Sequence, residues 1–100
     1  MERYSVKIFP AAQNDMREIV DYLNTLSPDA AVKYYDLFIE KIETLATMPE
    51  RCPLLKDIQL RLRGYRMLLV KNYIVFYVIN EKTVEIRRVL YARRYYEGLL

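Results

Sequence analysis

The chain has 100 residues, 53% hydrophobic and 29% charged, which excludes a disordered tail and predicts one folded domain over residues 1–100. It contains no histidine, which excludes zinc hydrolases built on imidazole ligands, Ser-His-Asp triads and Cys-His pairs. Residues 1–50 carry a net charge of −4 and residues 51–100 a net charge of +7, and eight of the eleven cations in the second half are arginines. This asymmetry predicts a basic face that meets an anion.

Cysteine content and hydropathy predict a cytoplasmic protein. The lone Cys52 cannot form an internal disulfide, which fits a reducing compartment. The longest apolar runs, residues 67–70 and 73–79, are far shorter than the roughly 20 residues of a transmembrane helix. The N-terminus lacks the apolar stretch of a signal peptide. We therefore expect no membrane partner.

The first quarter of the chain predicts a strand and then a helix. In residues 4–8, apolar and polar positions alternate as in a half-buried strand, which Pro10 ends. In residues 11–26 the apolar positions recur every three or four residues, which is typical of an amphipathic helix. The acidic residues Asp15 and Glu18 are expected on its solvated side.

A second helix is predicted directly after the first. Ser27 is a good N-cap residue, Pro28 suits the first helical turn, and Pro49 ends the pattern. The apolar stripe between them is Ala31, Tyr34, Tyr35, Phe38, Ile42 and Leu45. With so short a connection, the two helices are expected to form an antiparallel hairpin.

The next segment predicts strands. Residues 58–63 alternate apolar and polar side chains, Gly64 marks a turn or bulge, and residues 65–70 form the next strand. Lys71 and Asn72 fit a tight hairpin turn in which Asn72 takes the left-handed conformation.

The end of the chain completes the sheet. Residues 73–79 are nearly all β-branched or aromatic, which favours a central strand buried on both faces. Residues 83–90 form the last strand, with a bulge expected at Arg88 and Val89, where the alternation slips. Residues 92–100 are expected to form a short basic helix or a tail.

These elements predict an α+β fold in the order β-α-α-β-β-β. The C-terminal strands would form an antiparallel meander, and the N-terminal helical hairpin would pack on one face of it. The other face would be partly open and would carry arginine and tyrosine side chains.

Arginines and tyrosines of the second half are the candidate functional residues. They are Arg61, Arg63, Tyr65, Arg66, Arg87, Arg88, Tyr91, Arg93, Arg94, Tyr95 and Tyr96. Guanidinium groups bind phosphate bidentately, and tyrosine rings stack on unpaired bases. The set predicts a site for single-stranded RNA; the alternative is that the arginines only keep an exposed sheet from aggregating.

Such a site has the chemistry for RNA cleavage, in which the ribose 2′-OH attacks the neighbouring phosphate. Arginine stabilises the charge that the phosphate gathers. Tyrosine moves a proton only with a perturbed pKa, since its ordinary value is about 10. We therefore expect a site with no metal and no cofactor that works only when another machine positions the substrate.

Three segments carry a recognisable order of residues: residues 63–70, beginning Arg-Gly-Tyr-Arg; residues 72–77; and residues 86–95, ending Ala-Arg-Arg-Tyr. Together with the order of elements, they resemble the RelE/ParE superfamily, which includes plasmid stabilisation proteins. These proteins are the toxins of bacterial type II toxin–antitoxin modules. The resemblance covers essentially the whole chain and implies a cognate antitoxin as partner.

The resemblance implies two alternative targets. RelE-like members cleave mRNA in the ribosomal A site, whereas ParE-like members poison DNA gyrase. Arg66 falls where the RelE branch places a basic residue, but Ile74 stands where that branch usually has an arginine. The ending of residues 89–94 is closer to the ParE branch, which often has histidine where Tyr91 stands.

Charge location and the resemblance together nominate the site residues. The candidate catalytic residues are Arg66, Arg61, Arg63 and Tyr91. The candidate nucleic-acid-binding residues are Arg87, Arg88, Arg93, Arg94 and Tyr95. We expect ribosome-dependent mRNA cleavage, with the ribosome and mRNA as partners. Inhibition of DNA gyrase is the alternative, and a non-catalytic basic subunit that docks an acidic partner is the second alternative.

Overall fold

Helices and strands cover most of residues 2–93 and 97–100, which the computed structural model describes. In chain order they are β1 (Ser5–Ile8), α1 (Pro10–Leu26), α2 (Pro28–Glu43), α3 (Ile58–Leu62), β2 (Arg66–Val70), β3 (Tyr73–Asn80) and β4 (Thr83–Tyr91). Short 3-10 turns cover Thr44–Ala46, Pro49–Arg51 and Glu97–Leu99. Within the described part of the chain, no helix is long and apolar enough to cross a membrane.

The strands form one mixed sheet in the order β1-β4-β3-β2. β1 runs parallel to β4, whereas β2 pairs with β3 and β3 with β4 in antiparallel fashion. The predicted α+β class and the antiparallel meander are therefore confirmed. β3 lies inside the sheet, and β2 lies at one edge.

The two long helices pack on one face of the sheet, as predicted. Pro10 begins α1, where its missing N–H is not needed. Ser27 separates α1 from α2 and caps α2, because its hydroxyl oxygen accepts a hydrogen bond from the backbone N–H of Ala30 at 3.3 Å. The single-residue connection turns the chain back on itself and forms the predicted hairpin.

The main core lies between the helices and the sheet, and we call it the helix-side core. Its buried members are Ala12, Met16, Phe38, Ile42, Leu45, Cys52, Val70, Val75, Tyr77, Val84, Ile86 and Val89. Ile19 packs against them half-buried, as its place in the predicted stripe requires. Tyr35 is 48% exposed, so its assignment to the buried stripe of α2 is wrong.

The opposite face of the sheet, which we call the far face, carries a second core. Its buried members are Leu55, Leu60, Tyr65, Ile74, Phe76 and Leu90. Leu99 and Leu100 pack against them half-buried. The far face is therefore only partly open, because α3, the loop before it and the C-terminal residues cover part of it. β3 is buried on both faces, as predicted.

The segment predicted as a strand at residues 58–63 is instead the helix α3. The Asp57 carboxylate caps this helix by accepting a hydrogen bond from the backbone N–H of Leu60 at 3.0 Å. Leu60 is buried, whereas Ile58 and Leu62 are 60% and 78% exposed. Five residues are too few to distinguish a period of two from a single helical turn with one buried side chain.

Two local backbone expectations also need correction. In the β2–β3 turn, Lys71 takes the left-handed conformation, with φ of 57°, and Asn72 does not. The bulge in β4 lies at Arg87, one residue before the predicted place, because Phe76 pairs with Arg88 and Tyr77 with Ile86. Gly64 has φ of 83°, which confirms the predicted turn.

Candidate functional site

The fold divides the predicted arginine and tyrosine residues among several places. Some line the far face, one lies on the helix side of β2, one is buried against α1, and one stands at the end of β4. Arg94 and Tyr95 lie outside the described residues, as does Tyr96. Each of the other positions has a different set of contacts.

Arg63, Tyr65 and Arg87 meet on the far face. The guanidinium of Arg63 lies 5.1 Å from the centre of the Tyr65 ring, and that of Arg87 lies 5.9 Å from the same ring. Arg87 also lies 4.9 Å from the ring centre of Phe9. These contacts hold two cations over aromatic rings, and Arg87, Tyr65 and Phe9 line a surface cavity of about 210 Å³.

Neighbouring groups partly satisfy these two cations. Arg87 forms an ion pair with Glu85 at 2.9 Å, and Arg63 donates to the carbonyl oxygen of Leu100 at 3.2 Å. Burial alone would raise the pKa of Glu85, but hydrogen bonds from Arg87 and Asn80 outweigh it and lower that pKa. Glu85 therefore stays ionised, and Arg63 is the more available of the two cations.

Arg61 lies on α3, at the rim of the far face. Its Nε donates to the carbonyl oxygen of Leu55 at 3.0 Å and its Nη2 to that of Lys56 at 3.3 Å. The side chain is exposed, and the two carbonyls hold one edge of the guanidinium while the rest of it faces solvent. We call Arg61, Arg63 and Arg87 the basic rim.

Arg88 is committed to a buried ion pair. Its Nε and Nη2 donate to the two carboxylate oxygens of Asp15 at 2.7 and 2.8 Å, and its Nη1 donates to the carbonyl oxygen of Leu99 at 3.0 Å. The Arg88 and Asp15 side chains are only 22% and 7% exposed. The hydrogen bonds to Asp15 raise the pKa of the Arg88 guanidinium, because they favour its charged form.

Asp15 also completes the sheet, so the expectation that it is solvated is wrong. β1 ends at Ile8, and the last hydrogen bond between β1 and β4 runs from the Phe9 N–H to the Ile86 carbonyl at 2.9 Å. The Val89 N–H, further along β4, donates instead to Asp15 at 3.0 Å. The carboxylate thus accepts the hydrogen bond that a longer β1 would accept from β4, and it pairs with Arg88 at the same time.

Arg66 lies on the helix side of β2. Its Nη1 donates to the carbonyl oxygens of Glu50 at 3.1 Å and Cys52 at 2.7 Å, so the half-buried side chain ties this loop to the sheet. Tyr77, its partner in β3, donates its hydroxyl to the Pro49 carbonyl at 2.6 Å. Burial raises the pKa of the Tyr77 phenol, so this hydroxyl stays protonated.

Tyr91 is the last residue of β4 and pairs with Tyr73, the first residue of β3. Its ring meets that of Tyr73 edge to face at 5.7 Å, and 44% of the residue is exposed. Arg66 pairs with Tyr77 and Tyr91 pairs with Tyr73. Four residues of strand between Tyr73 and Tyr77 correspond to about 13 Å. Arg66 and Tyr91 therefore do not flank a common point.

Arg93 is exposed and has no hydrogen bond or ion pair with the described residues. Within residues 2–93 and 97–100, no three acidic or cysteine side chains gather where a metal ion could bind.

The site residues that sequence reasoning missed are Phe9 and Glu85. Phe9 carried no signal, whereas Glu85 alternates with Arg87 along β4, which places two opposite charges on one side of a strand.

The chain matches a family model and resembles solved structures. The model of the ParE toxin of the type II toxin–antitoxin system, parDE, matches residues 6–96. A chain from the chromosomal ParDE toxin–antitoxin system of P. aeruginosa has a TM-score of 0.79 and 19% identity, with 91% of this chain and 98% of that chain covered. A chain of the toxin–antitoxin complex RelBE2 of Mycobacterium tuberculosis has a TM-score of 0.60 and 23% identity, with 89% and 98% covered. The curated proteins contain no match.

These findings confirm the resemblance carried by the C-terminal segments. The two solved structures establish that the fold is shared with chains of ParDE and RelBE2 systems. The family model extends over nearly the whole chain, from β1 to beyond β4. The chain is therefore a toxin of the RelE/ParE superfamily and belongs to the family of ParE toxins of type II toxin–antitoxin systems.

Proposed function

We propose that this toxin inhibits growth by binding DNA gyrase and that a cognate antitoxin neutralises it by binding in turn. The match to the ParE toxin model supports the target, because resemblance to the ParE branch implies gyrase. The antitoxin is supported by the similar solved structures, both of which come from toxin–antitoxin systems.

The observation that carries a binding mechanism is the separation of the nominated catalytic residues. RNA cleavage needs a charge-stabilising donor and a proton-transferring group within hydrogen-bond reach of one reacting centre. Arg66 holds two loop carbonyls on the helix side, while Tyr91 packs on Tyr73 at the far end of β3. A toxin that works by docking needs no such convergence.

The basic rim is the surface we assign to the target. Arg61 and Arg63 are exposed, and neither forms an ion pair with the described residues. Uncompensated arginines on one face steer a protein toward an anionic partner and hold it there. An acidic surface of gyrase, or the DNA that gyrase holds, fits this charge.

Two assays on the purified protein test the target. The first measures supercoiling of relaxed plasmid by DNA gyrase over a range of toxin concentrations. The second measures cleavage of mRNA on programmed ribosomes by primer extension. The proposal expects loss of supercoiling and intact mRNA. Intact gyrase activity together with cut mRNA would reject gyrase as the target.

Ribosome-dependent mRNA cleavage is the second candidate, and one observation favours it. Arg63 and Arg87 contact the Tyr65 ring, and Arg87 lines an open cavity, an arrangement that suits a phosphate group. Against it, Tyr65 is only 2% exposed, so its hydroxyl is not presented to a substrate. The primer-extension assay decides between the candidates.

A further inference from the structure

Half of the outer edge of β2 has no partner among residues 2–93 and 97–100. The Leu55 N–H donates to the Tyr65 carbonyl at 3.0 Å, and the Met67 N–H donates to the Pro53 carbonyl at 3.2 Å. Outward-pointing backbone groups recur at every second residue of an edge strand. The N–H and C=O of Leu69 therefore also point outward, and neither has a partner in the described chain.

The side chains of this strand do nothing to protect the open edge. Residues 67–70 are Met-Leu-Leu-Val, without a charge or a proline, and Leu69 is 61% exposed. Natural sheets usually guard such edges with charges, prolines, bulges or a covering segment. Beside the edge lies a cavity of about 350 Å³, lined on one side by Cys52 and Pro53 and on the other by Met67, Leu68 and Leu69.

We infer that this open half-edge binds an extended segment of the antitoxin, which adds to the sheet as a short antiparallel or parallel strand beside Leu69. This inference rests on the proposed function for the existence of the antitoxin. The backbone of the added strand would pair with Leu69, and one of its apolar side chains would fill the cavity. The segment Pro53 to Leu55 already pairs in this way with the first half of the same edge.

Charge indicates what the added strand carries at its ends. Lys71 directly follows the open edge and Arg51 lines the cavity; both are exposed, and neither forms an ion pair with the described residues, although Arg51 donates hydrogen bonds to oxygens of Thr44 and Thr47. Opposite charges on neighbouring strands stabilise their pairing, and like charges destabilise it. The fitting segment is therefore apolar at its centre and acidic at its flanks.

A second copy of this chain fits the edge less well. A symmetric pair of β2 strands centred on Leu69 would set Lys71 of one copy beside Met67 of the other. The outward N–H of Met67 is already bonded to Pro53, so that half of each edge is closed.

The test uses proline to remove only the outward donor. Leu69→Pro deletes an N–H that points away from β3, so the β2–β3 ladder stays intact. Leu69→Ala is the matched control, because it shortens the side chain and keeps the N–H. The probe is the protein encoded by the neighbouring reading frame, and its affinity for each variant is measured by calorimetry. We expect Leu69→Pro to bind at least about tenfold more weakly than Leu69→Ala.

Hydrogen exchange of the wild-type toxin gives a second readout that needs no variant. The Leu69 amide should exchange rapidly in the free toxin and become protected in the complex. Unchanged exchange at Leu69, equal affinities of the two variants, or self-association of the free toxin through Leu69 would overturn the inference. If the neighbouring protein neither binds the wild-type toxin nor relieves growth inhibition, the proposed antitoxin fails, and the inference fails with it.

Discussion

The two faces of the sheet differ in what closes them and in what their arginines do. Two long helices close the helix side, and Arg66 there is half-buried and bonded to loop carbonyls. One turn of helix and the C-terminal residues cover the far face, where Arg63 lies over an aromatic ring at the surface. The role of an arginine in this fold therefore depends on the groups around its guanidinium: loop carbonyls hold Arg66, whereas Arg63 lies at the surface.

The largest expected effect separates the two cores. Phe38, on the buried face of α2, is fully buried in the helix-side core, so Phe38→Ala should lower the free energy of unfolding by about 3–5 kcal/mol. Leu60, the buried residue of α3 at 4% exposure, is the matched position on the far face. Leu60→Ala should cost about 2 kcal/mol, because a short helix collapses more easily into the vacated space. Urea unfolding measures both, and equal losses would contradict the difference between the cores.

The buried ion pair gives the next effect. Asp15→Ala leaves Arg88 and the Val89 N–H without their carboxylate, which should cost about 2–3 kcal/mol, since Arg88 keeps some access to water. Glu18→Ala, one turn along α1 at an exposed position, should change stability by less than about 0.5 kcal/mol. If both variants unfold at the same urea concentration, the pair does not hold α1 to β4.

Arg66 tests whether the helix-side arginine serves the fold or the target. Arg66→Ala removes two hydrogen bonds to the Glu50 and Cys52 carbonyls and should cost about 1–2 kcal/mol. Arg66→Lys should restore part of that stability. Growth inhibition should fall only as far as the folded fraction falls. A variant that is as stable as the wild type but no longer inhibits growth would show that Arg66 acts in the functional site.

A smaller effect appears at alkaline pH. Burial raises the pKa of Tyr77 above the value of about 10 in the unfolded chain, so the folded state favours the neutral phenol. This contribution is complete below about pH 10 and is lost as the pH rises further. Tyr77→Phe should cost about 1 kcal/mol at neutral pH and flatten the loss above pH 10. Tyr35→Phe, at an exposed position, is the control for the same unfolding profile.

Periodicity predicted the order of elements and the helix-side core, because long amphipathic helices and a β-branched strand carry strong patterns. It did not reveal the cover of the far face, since α3 has only five residues. Asp15 follows Ala12 by three residues and so lies beside the buried stripe of α1. Its partner Arg88 is 73 residues away, and no local pattern connects the two.

The site was predicted as a set of residue types and only partly as a place. Alternation along β2 already puts Arg66 on the same face as Leu68 and Val70, which is the face that the helices cover. The distance between Arg66 and Tyr91 follows from strand register, which the sequence specifies only through the turn at Lys71. The roles of all the nominated site residues, including Arg93, Arg94 and Tyr95, remain predictions.

Charge reversal on each face tests most directly the claim that the far face carries the function. One double variant combines Arg61→Glu with Arg63→Glu on the basic rim; the other combines Arg17→Glu with Lys33→Glu on the exposed sides of the helices. All four positions are exposed, and both variants change the net charge by the same amount. Growth inhibition is measured on induction, with thermal unfolding of each purified protein as the control. The account predicts that the rim variant stays folded and loses toxicity while the helix variant stays toxic. A folded rim variant that still inhibits growth would contradict it.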